Sequence, residues 1–439
     1  MRHLKKMKFI ADFHIHSKYS RATSPSMDLE NLDKWAKIKG IKVLGTGDFT
    51  HPEWLKSLKE KLEPAEPGLF CARGASALGG KLNNNSATRF LLTAEISCIY
   101  SKGGKVRKIH IIVFAPSFGA VEKINARLSQ IGNLKADGRP ILGLDAKELA
   151  KIVLDSSENC LVVPAHLMTP WFSVFGSKSG FNSLEECFED YTKYIHAGET
   201  GLSADPKMLW RMPDGRRITL ISNSDAHSPQ KIGREANVFD AELNYQAIIG
   251  AIKLKRPKGC PSKFLYTIEF FPEEGKYHYD GHRLCNLSLS PQESKKYNNI
   301  CPRCGKPLVI GVLNRVEELA DRPEGFVPEN AIPFKSLIPL EEIIAESIGV
   351  SVPSKEVSKI YSSLIMNLGN EFKILLEADR KEIELKSSLK VAEGIIRTRT
   401  GKVFVDPGYD GVYGKIKIFS KEEDASSREK KSLPQKTLF

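Results

Sequence analysis

Seven short β-rich runs follow one another through the first 255 residues, and six of them end in an acidic residue or a histidine. They are KFIADFHIH around Phe9 to His16, IKVLGTGD up to Asp48, RFLLTAE up to Glu95, KIHIIVFA from His110, LVVPAH up to His166, YIHAGE up to Glu199, and RITLISNSD up to Asp225. Helical or loop-like stretches separate them, which is the pattern of an α/β barrel or a doubly wound sheet. In a barrel the C-terminal strand ends share one mouth, where active sites are built, so polar residues recurring at those ends point to a single site. His110 stands near the start of its run and reaches the same mouth if its strand runs antiparallel to the one ending at Glu95.

Side chains alternate along a strand, so His14 and His16, which flank Ile15, project to one face, as do Asp225 and His227 in SNSDAH. Asp48, Glu95 and His166 each end a further run. Imidazole combined with carboxylate suits Zn, Mn or Fe. A lone buried histidine is more often a hydrogen-bonded core residue, but seven or eight ligand types at equivalent strand ends are hard to explain that way. A site this rich would hold two or three metals, which can activate water, bind phosphate oxygens and stabilise a leaving oxygen. Phosphoester hydrolysis is the chemistry expected.

The 439 residues leave room for two or three cores. No apolar run reaches the roughly 18 to 20 residues of a membrane span, and the basic N-terminus lacks the apolar segment and cleavage site of a signal peptide, so a cytoplasmic protein is expected. A net charge of +12 would attract a polyanion such as nucleic acid. Eight cysteines are too few for a disulfide scaffold. HRLC (His282 to Cys285) and CPRC (Cys301 to Cys304) have the spacing of a structural zinc site, with His278 a competing ligand and Cys260 a remote one.

The expected units are a metal-binding barrel (1–255), a zinc-binding module (256–313), a helical domain closing in a β-hairpin around PGYDG (314–420), and a charged, Ser-rich disordered tail (421–439). The basic stretches Lys105 to Lys108 and Ile252 to Lys258 read either as phosphate contacts or as solvated surface.

DFHIHS, GDFTH, the isolated Glu95, His110, PAH ending at His166 and SDAH resemble the ordered motifs of the polymerase-and-histidinol-phosphatase (PHP) superfamily. That resemblance implies an α/β fold, a distorted seven-stranded barrel. It also implies a multinuclear centre of two or three divalent metals (Zn, Mn or Mg) on His14, His16, Asp48, Glu95, His110, His166, Asp225 and His227. Two departures stand out. A family histidine expected just after the HxH pair is missing, with Arg21 and Ala22 near its place, and the usual TDH reads GDFTH, which displaces His51 by two positions. Glu199 lies outside the common motif set and reads as a ligand, a base or a structural carboxylate.

The order of barrel, zinc module reading YHYDGHRLC and CPRCGKPL, then GVLNRVEELADRPEG and PGYDGVYGKI resembles the endonuclease Q family over nearly the full chain. The resemblance implies cleavage of DNA on the 5′ side of uracil, hypoxanthine, xanthine or an abasic site, at the nucleoid. Asp225 would be catalytic, with Glu199 or His51 as proton carriers. The loop after His166, TPWFSVFGSKSGFNS, reads as a base pocket (Trp171, Phe172, Ser177, Lys178, Ser179) or as an ordinary packed loop. Gln435, Leu438 and Phe439 resemble a truncated sliding-clamp-binding peptide. The alternatives are a PHP phosphatase acting on a small phosphomonoester, and a damage-recognition module without activity.

Overall fold

The computed structural model describes residues 6–74, 87–254 and 262–420. The seven runs all become strands: Met7–Asp12, Val43–Gly45, Arg89–Lys102, Lys105–Ala115, Leu161–Pro164, Ala197–Glu199 and Thr219–Ile221. The first three pair in parallel, Ala11 opposite Val43 and Val43 opposite Arg89. Arg89–Lys102 and Lys105–Ala115 form one long antiparallel hairpin turned by Gly103 and Gly104, both at positive φ. In this hairpin Ser97 faces His110, so the antiparallel course brings the start of the fourth run to the mouth.

Ala197–Glu199 and Thr219–Ile221 form a separate parallel pair. Single backbone hydrogen bonds tie this pair to its neighbours: Leu167 N–H donates to the Glu199 carbonyl at 2.9 Å, and His16 N–H to that of Ala226 at 3.0 Å. Phe9, Ala11, Phe13, Val43, Leu91, Ile112, Phe114, Val163 and Ile221 fill the interior between the strands, so the enclosed space is packed core and the polar site is confined to one end.

The sheet extends past the first 255 residues. Ala236–Ala241 pairs with Met7–Asp12, Lys263–Glu269 adds to it antiparallel, and Phe334–Ser336 adds in parallel. Strands from both later segments thus complete the first unit, because these β-branched and aromatic residues bury one face against the core. The cysteine-bearing segment is a small hairpin, Asp280–His282 with Leu287–Leu289. Beyond it, helices Leu340–Ile348, Lys355–Leu368, Glu371–Leu376, Arg380–Lys386 and Leu389–Arg399 precede the hairpin Phe404–Asp406 with Lys415–Lys417. Gly408 N–H donates to the Glu273 carbonyl and Tyr279 N–H to that of Gly408, so the C-terminal hairpin sits on the cysteine module.

Buried Lys39 pairs with Glu371 at 2.7 Å, and Lys231 with Glu341 at 2.9 Å, fastening the helical part to the strand-rich part. Arg315, also buried, donates to the carbonyls of Phe175 and Phe181 and to Asn182 Oδ1, joining helix Val312–Leu319 to the loop after His166. Among the described residues no helix is long and apolar enough to cross a membrane. The tail 421–439 with Gln435, Leu438 and Phe439, the residues 255–258 of the second basic stretch, and Cys260 lie outside the described residues.

Candidate metal centre

Two groups of ligand atoms meet at the mouth. His14, His16, Glu95 and Asp225 place one atom each within 4.8 Å of one another, and so do Glu95, His110 and His166. Glu95 belongs to both, with Oε1 toward His110 Nδ1 (2.7 Å) and His166 Nε2 (3.1 Å), and Oε2 toward His16 Nε2 (3.2 Å) and His14 Nε2 (3.4 Å).

The backbone is bent at three residues of the mouth. Asp48, His166 and Asp225 all have positive φ (49°, 29° and 46°), a region that costs a non-glycine residue about 1–3 kcal/mol and is found where function over-determines the chain. Each lies two to four residues past the end of a strand, where the turn breaks the strand period and aims the side chain into the mouth.

The surrounding residues orient the histidines. Glu199, fully buried, accepts from His14 Nδ1 (3.0 Å), the His166 backbone N–H (2.9 Å) and Asn223 Nδ2 (2.9 Å). Asp48 faces His16 Nδ1 at 3.2 Å and accepts from Ser17 N–H, Ser17 Oγ and Ser20 Oγ at 2.6–2.8 Å. Thr169 Oγ1 lies 3.0 Å from His166 Nδ1. Proton donation from Nδ1 to a carboxylate leaves Nε2 as a bare lone pair, which is how a metal-binding histidine is held. Asp48 and Glu199 therefore stand behind the rings, outside both ligand groups.

A cation fits this arrangement. His14 Nε2 is buried with no hydrogen-bond partner while facing Glu95 and Asp225, an orphaned atom that is costly to leave unmade. Burial lowers the basicity of His14, but Glu199, Glu95 and Asp225 raise it well above its ordinary value. His16 is raised in the same way by Asp225, Asp48 and Glu95. Burial opposes ionisation of Glu95 and Asp225 as well, yet the facing histidines hold both below the usual carboxylate range. Such a pocket demands positive charge, and protons and metal ions compete for it.

The remaining expected residues lie around these groups. His227 Nδ1 contacts the Asp225 carbonyl at 2.8 Å and its ring packs 4.5 Å from that of His16, at the rim. His51 begins helix Pro52–Lys61 and stacks on Tyr19 at 4.4 Å, its Nδ1 unpartnered, outside both groups. Arg21 is exposed and bonds to Asp137 through its N–H, and Ala22 has no ligand atom, so nothing replaces the missing histidine there. Phe172, at φ 63°, packs 4.6 Å from His110, and Lys108 lies over both Phe172 and exposed Trp171. Ser177 and Lys178 are exposed, and Ser179 is buried, pinned between the Phe172 N–H and the Lys108 carbonyl.

Reading the sequence missed Ser17, Ser20, Asn223, Thr169 and Arg139, whose Nη1 donates to Glu95 Oε2 at 3.0 Å. Ser17 and Ser20 follow the HxH pair closely enough to be suspected; Asn223 and Arg139 carry no local signal.

His282, Cys285, Cys301 and Cys304 form a third group within 4.8 Å, and His282 Nδ1 lies 3.3 Å from Cys304 Sγ. Although burial works against it, the backbone N–H groups of Arg303 and Cys304 and the His282 side chain draw the Cys301 thiol down to about 6. Three thiols and an imidazole make a closed, structural type of set. His278 stands apart, buried in the wall of a cavity of about 360 Å³.

The mouth gathers the imidazole and carboxylate donors that a metal-dependent hydrolase uses. The model of the MJ0043 C-terminal domain family matches residues 339–402. The chain is 29% identical to the uncharacterized protein YqxK of Bacillus subtilis over 93% of this chain and 99% of that one. It is 37% identical over 256 residues to the uncharacterized protein MJ0043 of Methanocaldococcus jannaschii, 56% of this chain but 31% of that protein, so it spans about a third of that relative's length. The crystal structure of the lesion-specific endonuclease PfuEndoQ from Pyrococcus furiosus is similar at TM-score 0.81 and 30% identity, over 96% of this chain and 99% of that one. An endonuclease Q in complex with a 27-mer duplex carrying an abasic lesion at its active site is similar at 0.80 and 31%, over 95% and 98%. The chain belongs to the endonuclease Q family.

Proposed function

We propose that this chain is a DNA repair endonuclease that hydrolyses the phosphodiester 5′ of deaminated bases (uracil, hypoxanthine, xanthine) or of abasic sites. The observation that carries the reading is the pair of ligand groups sharing Glu95, within a chain similar over nearly its whole length to an endonuclease that takes a damaged duplex. The barrel is proposed as a distorted seven-stranded one, with the later strands as additions.

His14, His16, Glu95 and Asp225 would hold one divalent ion, and Glu95, His110 and His166 a second, with His227 at the rim beside His16. Such ions supply an activated water and neutralise charge on the transferring phosphate. Zn, Mn or Mg is the expected identity, with zinc on His282, Cys285, Cys301 and Cys304. The chain's own residues do the rest. Glu199 and Asp48 fix the rings of His14 and His16, and the hydrophobic interior behind them excludes bulk water. His51, buried beside Tyr19 with a free Nδ1, is proposed as a proton carrier for the leaving oxygen.

Lesion choice is proposed to rest on the loop after His166. Trp171 and Phe172, with Lys108 over both rings, present aromatic and cationic surface beside His110, and Thr169 and Pro170 line the 360 Å³ cavity together with Phe270, Tyr277 and Tyr413. That cavity has the size and aromatic walls that suit an extruded base. Thr169 ties it to the site, touching His166 on one side and the cavity on the other.

The test is nicking of labelled duplex DNA with one uracil, hypoxanthine or abasic site, by wild type and Asp225→Ala, with and without Mn, Zn or Mg. A metal-dependent cut 5′ of the lesion, lost in the variant, is expected. Hydrolysis of small phosphomonoesters without any cut would make the chain a phosphatase.

A further inference from the structure

Arg139 belongs to no motif, yet it reaches the middle of the site. Its Nη1 donates to Glu95 Oε2 at 3.0 Å, the same oxygen that His14 and His16 face at 3.4 and 3.2 Å. The side chain is about a quarter exposed, so the guanidinium that bonds to Glu95 also reaches solvent.

The loop that carries it is clamped onto the site. Gly138 N–H donates to the Tyr19 carbonyl, Thr50 Oγ1 donates to that of Gly138, and Ser97 N–H donates to that of Pro140. Asp137 Oδ1 accepts from both Arg21 N–H and Arg139 N–H. A Cβ on Gly138 would lie 2.3 Å from Asp48 Oδ2 and 2.4 Å from Ser20 Oγ, so the backbone passes as close to the site as glycine allows. An arginine that only decorated the surface would need none of this.

We infer that Arg139 binds a non-bridging oxygen of the scissile phosphodiester, an assignment that rests on the DNA-cutting reading above. Its planar fork matches phosphate geometry and keeps its charge at any working pH. Every other ion pair of Glu95, Asp48, Glu199 and Asp225 among the described residues is with a histidine, which makes Arg139 the permanent cation at the mouth. A metal ion held by Glu95 would compete with Arg139 for that carboxylate, and the guanidinium, fixed at its backbone beside Asp48, would stay next to the groups where phosphate would be presented. The plainer reading is that Arg139 only neutralises Glu95.

The experiment compares the full chain with Arg139→Gln and Arg139→Lys in three ways: calorimetric Mn²⁺ titration without DNA, kcat and KM on a uracil-containing duplex, and the same kinetics on a duplex with a methylphosphonate at the scissile position. The expected result is a kcat about 100-fold lower in Arg139→Gln with unchanged metal stoichiometry, partial recovery in Arg139→Lys, and a methylphosphonate penalty smaller in Arg139→Gln than in wild type. Additive penalties, or weakened Mn²⁺ binding with kcat unchanged, would reduce Arg139 to a neutralising charge and overturn the inference. Wild type that cuts no DNA would instead overturn the functional reading on which it rests.

Discussion

Replacing Glu199 by Gln isolates the orientation of His14 from its coordination. In the wild type, two carboxylate oxygens serve three buried donors: His14 Nδ1, the His166 N–H and Asn223 Nδ2, at 2.9–3.1 Å. Glutamine has one oxygen and one NH₂. Whichever way the amide turns, the NH₂ faces either Asn223 Nδ2 or the His166 N–H, donor against donor. One buried donor left unsatisfied costs about 1–3 kcal/mol of stability. His14 also loses its charged partner, and disrupting such an outer contact typically weakens metal binding about 10–100-fold. The assay is calorimetric titration of Mn²⁺ into both proteins, with urea unfolding of the metal-free forms alongside. A weaker affinity at unchanged stoichiometry is expected. If one ion per chain disappears outright, Glu199 is itself a ligand; if affinity and unfolding midpoint both match wild type, the hydrogen-bond reasoning is refuted.

Further outcomes follow from other parts of the molecule. Cys301→Ser should remove one zinc per chain by atomic absorption and open the 280–310 segment to limited proteolysis; retention of that zinc would dismiss the four-ligand set. Burial pushes Glu269 up to about 7, against the hydroxyls of Ser222, Thr267 and Thr200, which donate to it. The folded chain thus keeps a proton that the unfolded chain releases near 4.5, so this group's effect is to lower stability as pH rises from about 4.5 through 7. Glu269→Gln should flatten the urea midpoint against pH over that window, and an unchanged slope would deny the assignment. Arg315→Met should leave two buried carbonyl acceptors without a donor, cost about 1–3 kcal/mol, and raise hydrogen exchange in residues 166–182; unchanged exchange there would mean the loop is held by other contacts.

Much of the mouth was legible because its histidines and carboxylates stand in short local motifs at or just past strand ends. The HxH at His14 and His16 and the lone Glu95 ending an apolar run follow the strand period, while His166 in PAH and Asp225 in SDAH reach the same groups through the turns after their strands. The antiparallel hairpin that turns His110 inward was foreseeable as a condition, and Ser97 opposite His110 meets it. The cysteine group was legible for the same reason, since two short spacings on neighbouring turns suffice. Where residues 314–420 show helical periodicity, helices formed, and PGYDG turned a hairpin.

Other features depend on which distant segments meet. Sequence could not say that Asp48 and Glu199 meet His16 and His14 at Nδ1, because every run ends with the same kind of side chain. It could not foresee Arg139, brought to Glu95 by a loop with no strand period, or the cavity where Thr169, Tyr277 and Tyr413 converge from three regions. Nor could it place Lys263–Glu269 and Phe334–Ser336 in the main sheet, since short apolar runs are compatible with any nearby core. The sequence by itself determined which chemical groups are available and which face of a strand or turn each takes. Only the tertiary structure decided which of them gather into shared ligand groups and which hold those groups in place, because these are relations between residues more than 200 positions apart in the chain, exemplified by Phe13 N–H on Asn223 Oδ1 across 210 residues.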